Sequence, residues 1–119
     1  MKHNESLYLR HIIDAIDLIH TYLKGIDESV FMKTSLIQDG VIRQIEIIGE
    51  AARHLSKDFR RQFAHIPWAD IAGMRDKLIH DYFGVDVEKV WLTTIKDLPD
   101  LKLEVQKILD NLSEEQSKQ

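Results

Sequence analysis

The apolar positions of this chain recur every three or four residues almost from end to end, the signature of amphipathic helices. Leu9, Ile12, Ile13, Ile16, Ile19 and Leu23 predict a first helix over about Ser6 to Lys24, closing near Gly25. Asp27 and Ser29 are candidate caps for a short turn through Phe31 and Met32. Val41, Ile45, Ile48, Ala52 and Leu55 form the stripe of a long helix from about Ser35 to Leu55. Gly49 costs that helix stability, so its expected use is a close approach by a neighbouring helix. Ser56 can cap a short helix through Phe63. Pro67 fits the first turn of the next helix, which is expected to end near Tyr82 to Gly84. Asp86 is placed to cap a further helix with Val87, Val90, Trp91 and Ile95 facing inward. Pro99 should open the last one, with the stripe Leu101, Val105, Ile108 and Leu112. Residues 113–119 read as a polar, frayed tail. Nothing alternates with period two over a useful length. The expected fold is all-α, an up-and-down helical bundle in one domain spanning 1–119.

Composition narrows the classes. No apolar run approaches the roughly 20 residues needed to span a bilayer, and the start of the chain is polar, without a signal-peptide core. The chain has no Cys, which excludes disulfides and thiolate catalysis and makes the cytoplasm the expected compartment. A net charge of −4 argues against a general nucleic-acid coat protein. Charge is unevenly placed, however. Between Arg53 and Ile79 lie Arg53, Lys57, Arg60, Arg61, Arg75 and Lys77 against Asp58, Asp70 and Asp76, so the segment is +3. That cluster is either a solvated helix face or a track for an RNA backbone.

The candidate chemistry lies at the end of this segment. Arg75-Asp76-Lys77-Leu78-Ile79-His80-Asp81-Tyr82 has the form R-x4-H-x-Y. A guanidinium clamps phosphate through a planar fork of donors, and an imidazole can give or take a proton near neutral pH. Together they point to chemistry on a phosphodiester. If the helix runs through the motif, Arg75 and His80 stand about 7.5 Å apart along the axis and about 140° around it. One chain then makes a poor site, and two chains around a two-fold axis could make a better one. On the same assumption Asp76, four residues before His80, could accept a hydrogen bond from the imidazole, or form no more than a surface pair. Tyr82 would share the face of Arg75, where its phenol could bind phosphate, stack on a base, or be a half-buried aromatic. Ile71, Met74, Leu78 or Trp68 are candidates for an apolar dimer contact. Arg43, Glu46 and Glu50 share a face as surface or inter-helix pairs, and Glu50 and Lys77 are possible cleft residues. Trp68 and Trp91 fit core or dimer anchors. His3, His11, His20 and His65 lack metal-ligand spacing, so neither a metal nor another cofactor is expected.

The motif is flanked by Ile66-Pro67-Trp68-Ala69-Asp70-Ile71-Ala72-Gly73-Met74 and Phe83-Gly84-Val85-Asp86, with Asp39 to Ala52 upstream. From about Tyr8 to Ile108 this ensemble resembles the HepT-like toxins, a branch of the HEPN superfamily of small helical ribonucleases. The resemblance implies a toxin of a type VII-like toxin–antitoxin pair: a homodimer, or a higher even-numbered oligomer, cleaving RNA without a metal. Arg75 and His80 would be catalytic and Asp76 supporting. It also implies a minimal nucleotidyltransferase antitoxin as partner, attaching AMP to Tyr82, and no association with membranes. Two other readings stay open. One is a non-catalytic HEPN module that binds nucleotide or the partner; the other is a plain helical interaction protein, for which Arg75 and His80 would be dispensable.

Overall fold

Three long helices carry the fold in a computed structural model that describes residues 4–80 and 84–117; for His80 and residues 114–117 it describes the backbone alone. Helix α1 (Glu5–Tyr22) begins where the Asn4 side chain accepts a hydrogen bond from the Leu7 amide. It buries Leu9, Ile12, Ile13, Ile16 and Ile19, the stripe expected of it. Helix α2 (Glu28–Lys33) is capped by Asp27, which accepts from the Val30 amide. Helix α3 (Ser35–His54) runs antiparallel to α1: Tyr22 packs against Gly40 at one end, and Glu5 accepts from the Ser56 amide at the other. Ile16, Ile19, Ile45, Ile48 and Val105 are fully buried between α1, α3 and α8 (Leu98–Ser117). Each such side chain contributes roughly 1.5–3 kcal/mol by leaving water. The described residues thus form an all-α bundle, and no helix among them is long and apolar enough to cross a membrane.

The chain between α3 and α8 departs further from a simple bundle. Ser56 caps α4 (Lys57–Gln62) by accepting from the Phe59 amide, and Phe59 packs on Phe63 and Trp68. The expected motif helix is broken in two. Helix α5 (Trp68–Ala72) stops at Gly73 and α6 (Met74–Leu78) stops at Leu78. Ile79 is already extended at φ −114° and ψ 119°. Strand β1 (Ile79–His80) pairs antiparallel with β2 (Gly84–Val85), with His80 opposite Gly84. Gly84 has φ +79°, which suits glycine, and the Asp86 amide closes the ladder onto the Leu78 carbonyl at 2.9 Å. A β-branched Ile79 and a non-local backbone bond outweigh a weak helical preference here.

Helix α7 (Val87–Leu92), capped by Asp86, passes through a π-helical turn at Thr93–Asp97 and continues into α8. Pro99 therefore lies in the second position of α8 and does not open a separate helix after a break. Without an N–H, Pro99 cannot donate within the helix, which favours an adjacent departure from α-helical bonding. The turn has a consequence for packing: Thr94 occupies the buried position and Ile95, expected inward, is 48% exposed. The helical backbone of α8 continues to Ser117, into the polar tail, where Glu114, Glu115 and Gln116 are good helix formers.

Candidate functional site

Arg75 sits in the first turn of α6, and its position is set by the packing of α5 on α3. A Cβ built on Gly49 would lie 3.0 Å from the Ala72 carbonyl oxygen and 3.4 Å from that of Ile71. Glycine thus lets the end of α5 touch the α3 backbone, the close approach its position suggested. Three residues beyond that contact, Arg75 turns to α3, and its Nε lies 3.3 Å from Glu46 Oε1. Glu46 is shared with Arg43, 3.6 Å away. The Arg75 side chain is 47% exposed, so one edge is held while part of the guanidinium faces solvent. At that exposure the pair contributes no more than about 1 kcal/mol to stability; its value lies in orienting the fork.

The helical turn that would set Asp76 beside His80 is absent, because α6 ends two residues before His80. Asp76 Oδ1 lies 3.8 Å from Arg75 Nη1 instead. Arg75 is therefore flanked by two carboxylates, and an incoming phosphate must share or displace them. The calculated 140° separation of Arg75 and His80 also disappears with the helix. His80 belongs to an extended strand, and Tyr82 lies outside the described residues, so its expected place on the face of Arg75 lies there too.

The other candidates fall elsewhere. Lys77 pairs with Asp70 at 3.0 Å and lines a groove of about 650 Å³ between the α5–α6 segment and the α7–α8 helix. Arg75 and Glu46 are not among its lining residues, so Lys77 and Arg75 serve different surfaces. Glu50 is exposed on α3, one turn beyond Glu46. Trp68, Ile71 and Leu78 are core residues at 5%, 7% and 5% exposure, and Met74 is half-buried against them. They pack in the core beneath α5 and α6, and Ile71, Met74 and Leu78 also line the groove beside Lys77. Trp68 donates its indole N–H to the Phe63 carbonyl, and Trp91 packs on Phe31, so both tryptophans are structural. His65 meets Glu104 of α8 at 3.2 Å. The Glu104 carboxyl is held below its ordinary range, chiefly by the Lys107 ammonium and secondarily by His65. Among the described residues no cluster of three or more His, Asp or Glu could hold a metal.

Glu46 is the site residue that sequence reasoning left in a generic role. Its spacing to Arg43 marks an ion pair, but the contact to Arg75 joins residues 29 positions apart and has no local signal.

The profile of the family described as "Ribonuclease HepT-like" matches residues 12–108. The chain belongs to this family. It is 44% identical over 108 residues to the "Probable ribonuclease HepT" of Thermococcus cleftensis, covering 91% of this chain and 98% of that protein. It is 43% identical over 102 residues to the "Putative RNase" of Caldanaerobacter subterraneus, covering 86% and 91%. It is also 46% identical over 112 residues to the "Gamma-glutamylcyclotransferase and putative RNase" of Methanocaldococcus jannaschii. There the match takes in 94% of this chain but only 50% of the longer protein. No solved structure matches the chain. The broken α5–α6 helix and the Glu46–Arg75 contact are local properties of this fold.

Proposed function

We propose that this HepT-like chain is a metal-independent RNA endonuclease, the toxin of a type VII-like toxin–antitoxin pair. The observation that carries the reading is Arg75 of the R-x4-H-x-Y motif, held half-exposed by Glu46 at 3.3 Å in a chain of a ribonuclease family. In the proposed reaction one His80 takes the proton of a ribose 2′-OH. The 2′-oxygen attacks phosphorus, Arg75 stabilises the charge of the phosphorane, and a second His80 protonates the departing 5′-oxygen. The products are a 2′,3′-cyclic phosphate and a 5′-hydroxyl. Asp76, beside Arg75, supports the site by orienting the guanidinium. Two histidines per reaction require two chains, so the site is composite across a two-fold axis.

The proposed antitoxin is a nucleotidyltransferase that transfers AMP from ATP to the Tyr82 phenolic oxygen, releasing pyrophosphate. Each AMP brings an anionic phosphodiester close in sequence to Arg75, where it would compete with RNA for the same cation.

The decisive experiment is cleavage of RNA in excess EDTA by the protein and by Arg75→Ala and His80→Ala chains. Each variant is expected to lose about 10²-fold or more, and mixing the two is not expected to restore the activity, because a mixed dimer carries one His80 where the reaction uses two. Cleavage that survives in His80→Ala, or that needs added Mg²⁺, refutes the mechanism. Intact mass after co-expression with the partner tests the modification; an unmodified Tyr82 peptide refutes it. A second reading is a module that binds nucleotide or the partner without turnover. On that reading His80→Ala changes binding only.

A further inference from the structure

Arg53, Lys57, Arg60 and Arg61 stand at the end of α3 and on α4, with Asp58 as the acid among them, so residues 53–61 carry +3. The whole chain carries −4, so everything outside this segment sums to −7. An anion is therefore repelled by most of the molecule and attracted here. Arg53, Lys57 and Arg61 are exposed, and Asp58 offsets Arg61 only at 3.7 Å with both side chains largely in solvent.

The patch begins on the helix that carries Glu46, the partner of Arg75. Arg53 is seven residues beyond Glu46 on α3, which is about 10.5 Å along the axis and within about 20° of the same face. Lys57 and Arg61 are four apart and share a face of α4. Two contacts tie these elements together: Phe59 of α4 packs on Trp68 of α5, and the end of α5 touches α3 at Gly49. Glu50 lies on the stripe between Glu46 and Arg53, and Glu5 accepts from the Ser56 amide at the start of α4, so the acids beside the four cations are Glu5, Glu50 and Asp58. An aromatic element lies next to Arg53: the exposed His54 ring stacks on Tyr8 at 5.1 Å and 13°. Cations following a backbone beside a ring that can take a base are the usual means of holding single-stranded nucleic acid.

We propose that this end of the bundle is a second binding site for the RNA substrate, with Arg53, Lys57 and Arg61 on its phosphates and His54 under a base. It rests on the nuclease reading above only in taking RNA as the ligand. The site holds the strand that runs on from the phosphate at Arg75 and sets the affinity, while the motif performs the cleavage.

The test uses the full chain carrying His80→Ala, a labelled single-stranded RNA of mixed sequence, and binding measured by anisotropy over a salt series. Arg53→Gln/Lys57→Gln/Arg61→Gln is compared with Lys24→Gln/Lys33→Gln/Lys107→Gln, which removes the same charge elsewhere. Three lost phosphate contacts should weaken binding at least tenfold and lower the slope of log affinity on log salt by about 2, at about 0.7 per contact. The control variant should keep the slope. Arg53→Lys/Arg61→Lys should keep it as well, because phosphates respond to the charge. His54→Ala should weaken binding several-fold at unchanged slope, since stacking releases no counter-ions. In chains with His80 intact, the triple variant should raise KM and leave kcat unchanged. Equal losses in patch and control variants overturn the proposal, even if RNA is cleaved. Loss confined to the patch variant, with no cleavage by any chain, supports it and removes the nuclease reading instead. Binding of polyglutamate as tight as RNA assigns the patch to an acidic protein and overturns it too.

Discussion

Gly49→Ala puts the geometry of the site to its most direct trial. Alanine in the interior of α3 should gain about 1 kcal/mol in helix propensity. Its methyl would lie 3.6 Å from the Ala72 carbonyl carbon, an ordinary contact, but 3.0 Å from the carbonyl oxygen, closer than such atoms normally pack. The opposing group is backbone, so it cannot turn aside as a side chain would. Relief requires α5 to move off α3 by a few tenths of an ångström, and overpacking of this sort costs about 1–3 kcal/mol. The net expectation is a loss of up to about 2 kcal/mol, or up to about 8 °C in Tm at about 4 °C per kcal/mol for a domain this size. The larger effect should be on activity, because Arg75 follows Ala72 by three residues and meets Glu46 on the same helix as Gly49. Calorimetry and RNA cleavage should be measured on one preparation. Gly49→Val, with two more carbons and a stiff χ1, should lose clearly more of both. If Gly49→Ala is more stable than the parent and cleaves RNA equally well, the α3–α5 contact does not set the position of Arg75.

Glu46→Gln should free Arg75 while removing a negative charge, so RNA binds more tightly while kcat falls; a steady-state split of KM against kcat reads both. Arg75→Lys should lose about tenfold or more in cleavage, because an ammonium cannot reproduce the bidentate fork; full activity would show that charge alone suffices. Lys107→Ala should raise the Glu104 pKa toward the ordinary glutamate value, with a smaller rise for His65→Ala, both measurable by NMR titration. Because the folded-state value is lowered, the contribution of Glu104 to stability is present above the unfolded pKa of about 4.5 and is lost as pH falls through the lower folded value.

The helices and their starts were legible because their signals are local. Asp27, Ser56 and Asp86 each cap the helix that follows them, and the apolar stripes of α1, α3 and α8 are the buried ones. Gly49 was legible as a close approach, though not with its partner. The break at Gly73 and the turn into β1 were not, because a ladder of two residue pairs has no period to detect and one of its fixing bonds joins Leu78 to Asp86. At the site, the motif was visible as a string of residue types. Its geometry is not legible there, because no local signal marks the end of α6 at Leu78 and the extended backbone at His80. The groove lined by Lys77 is likewise a product of how α5–α6 meets α7–α8, which no local pattern encodes.

The π-helical turn at Thr93–Asp97 acts as a phase adjuster. Val90 packs at 0% exposure and Leu98 at 1%, and both must point into the interior from what is nearly one continuous helix. Eight residues of regular α-helix advance two turns and about 80°, which would carry Leu98 well away from the side of Val90. A π turn winds less per residue and cancels part of that excess. It is therefore the equivalent of one extra residue absorbed into a helix without a loop. Deleting one residue there would tidy the winding and spoil the fit of everything downstream, so this stretch should be among the least tolerant of length changes although Ile95 and Lys96 face water.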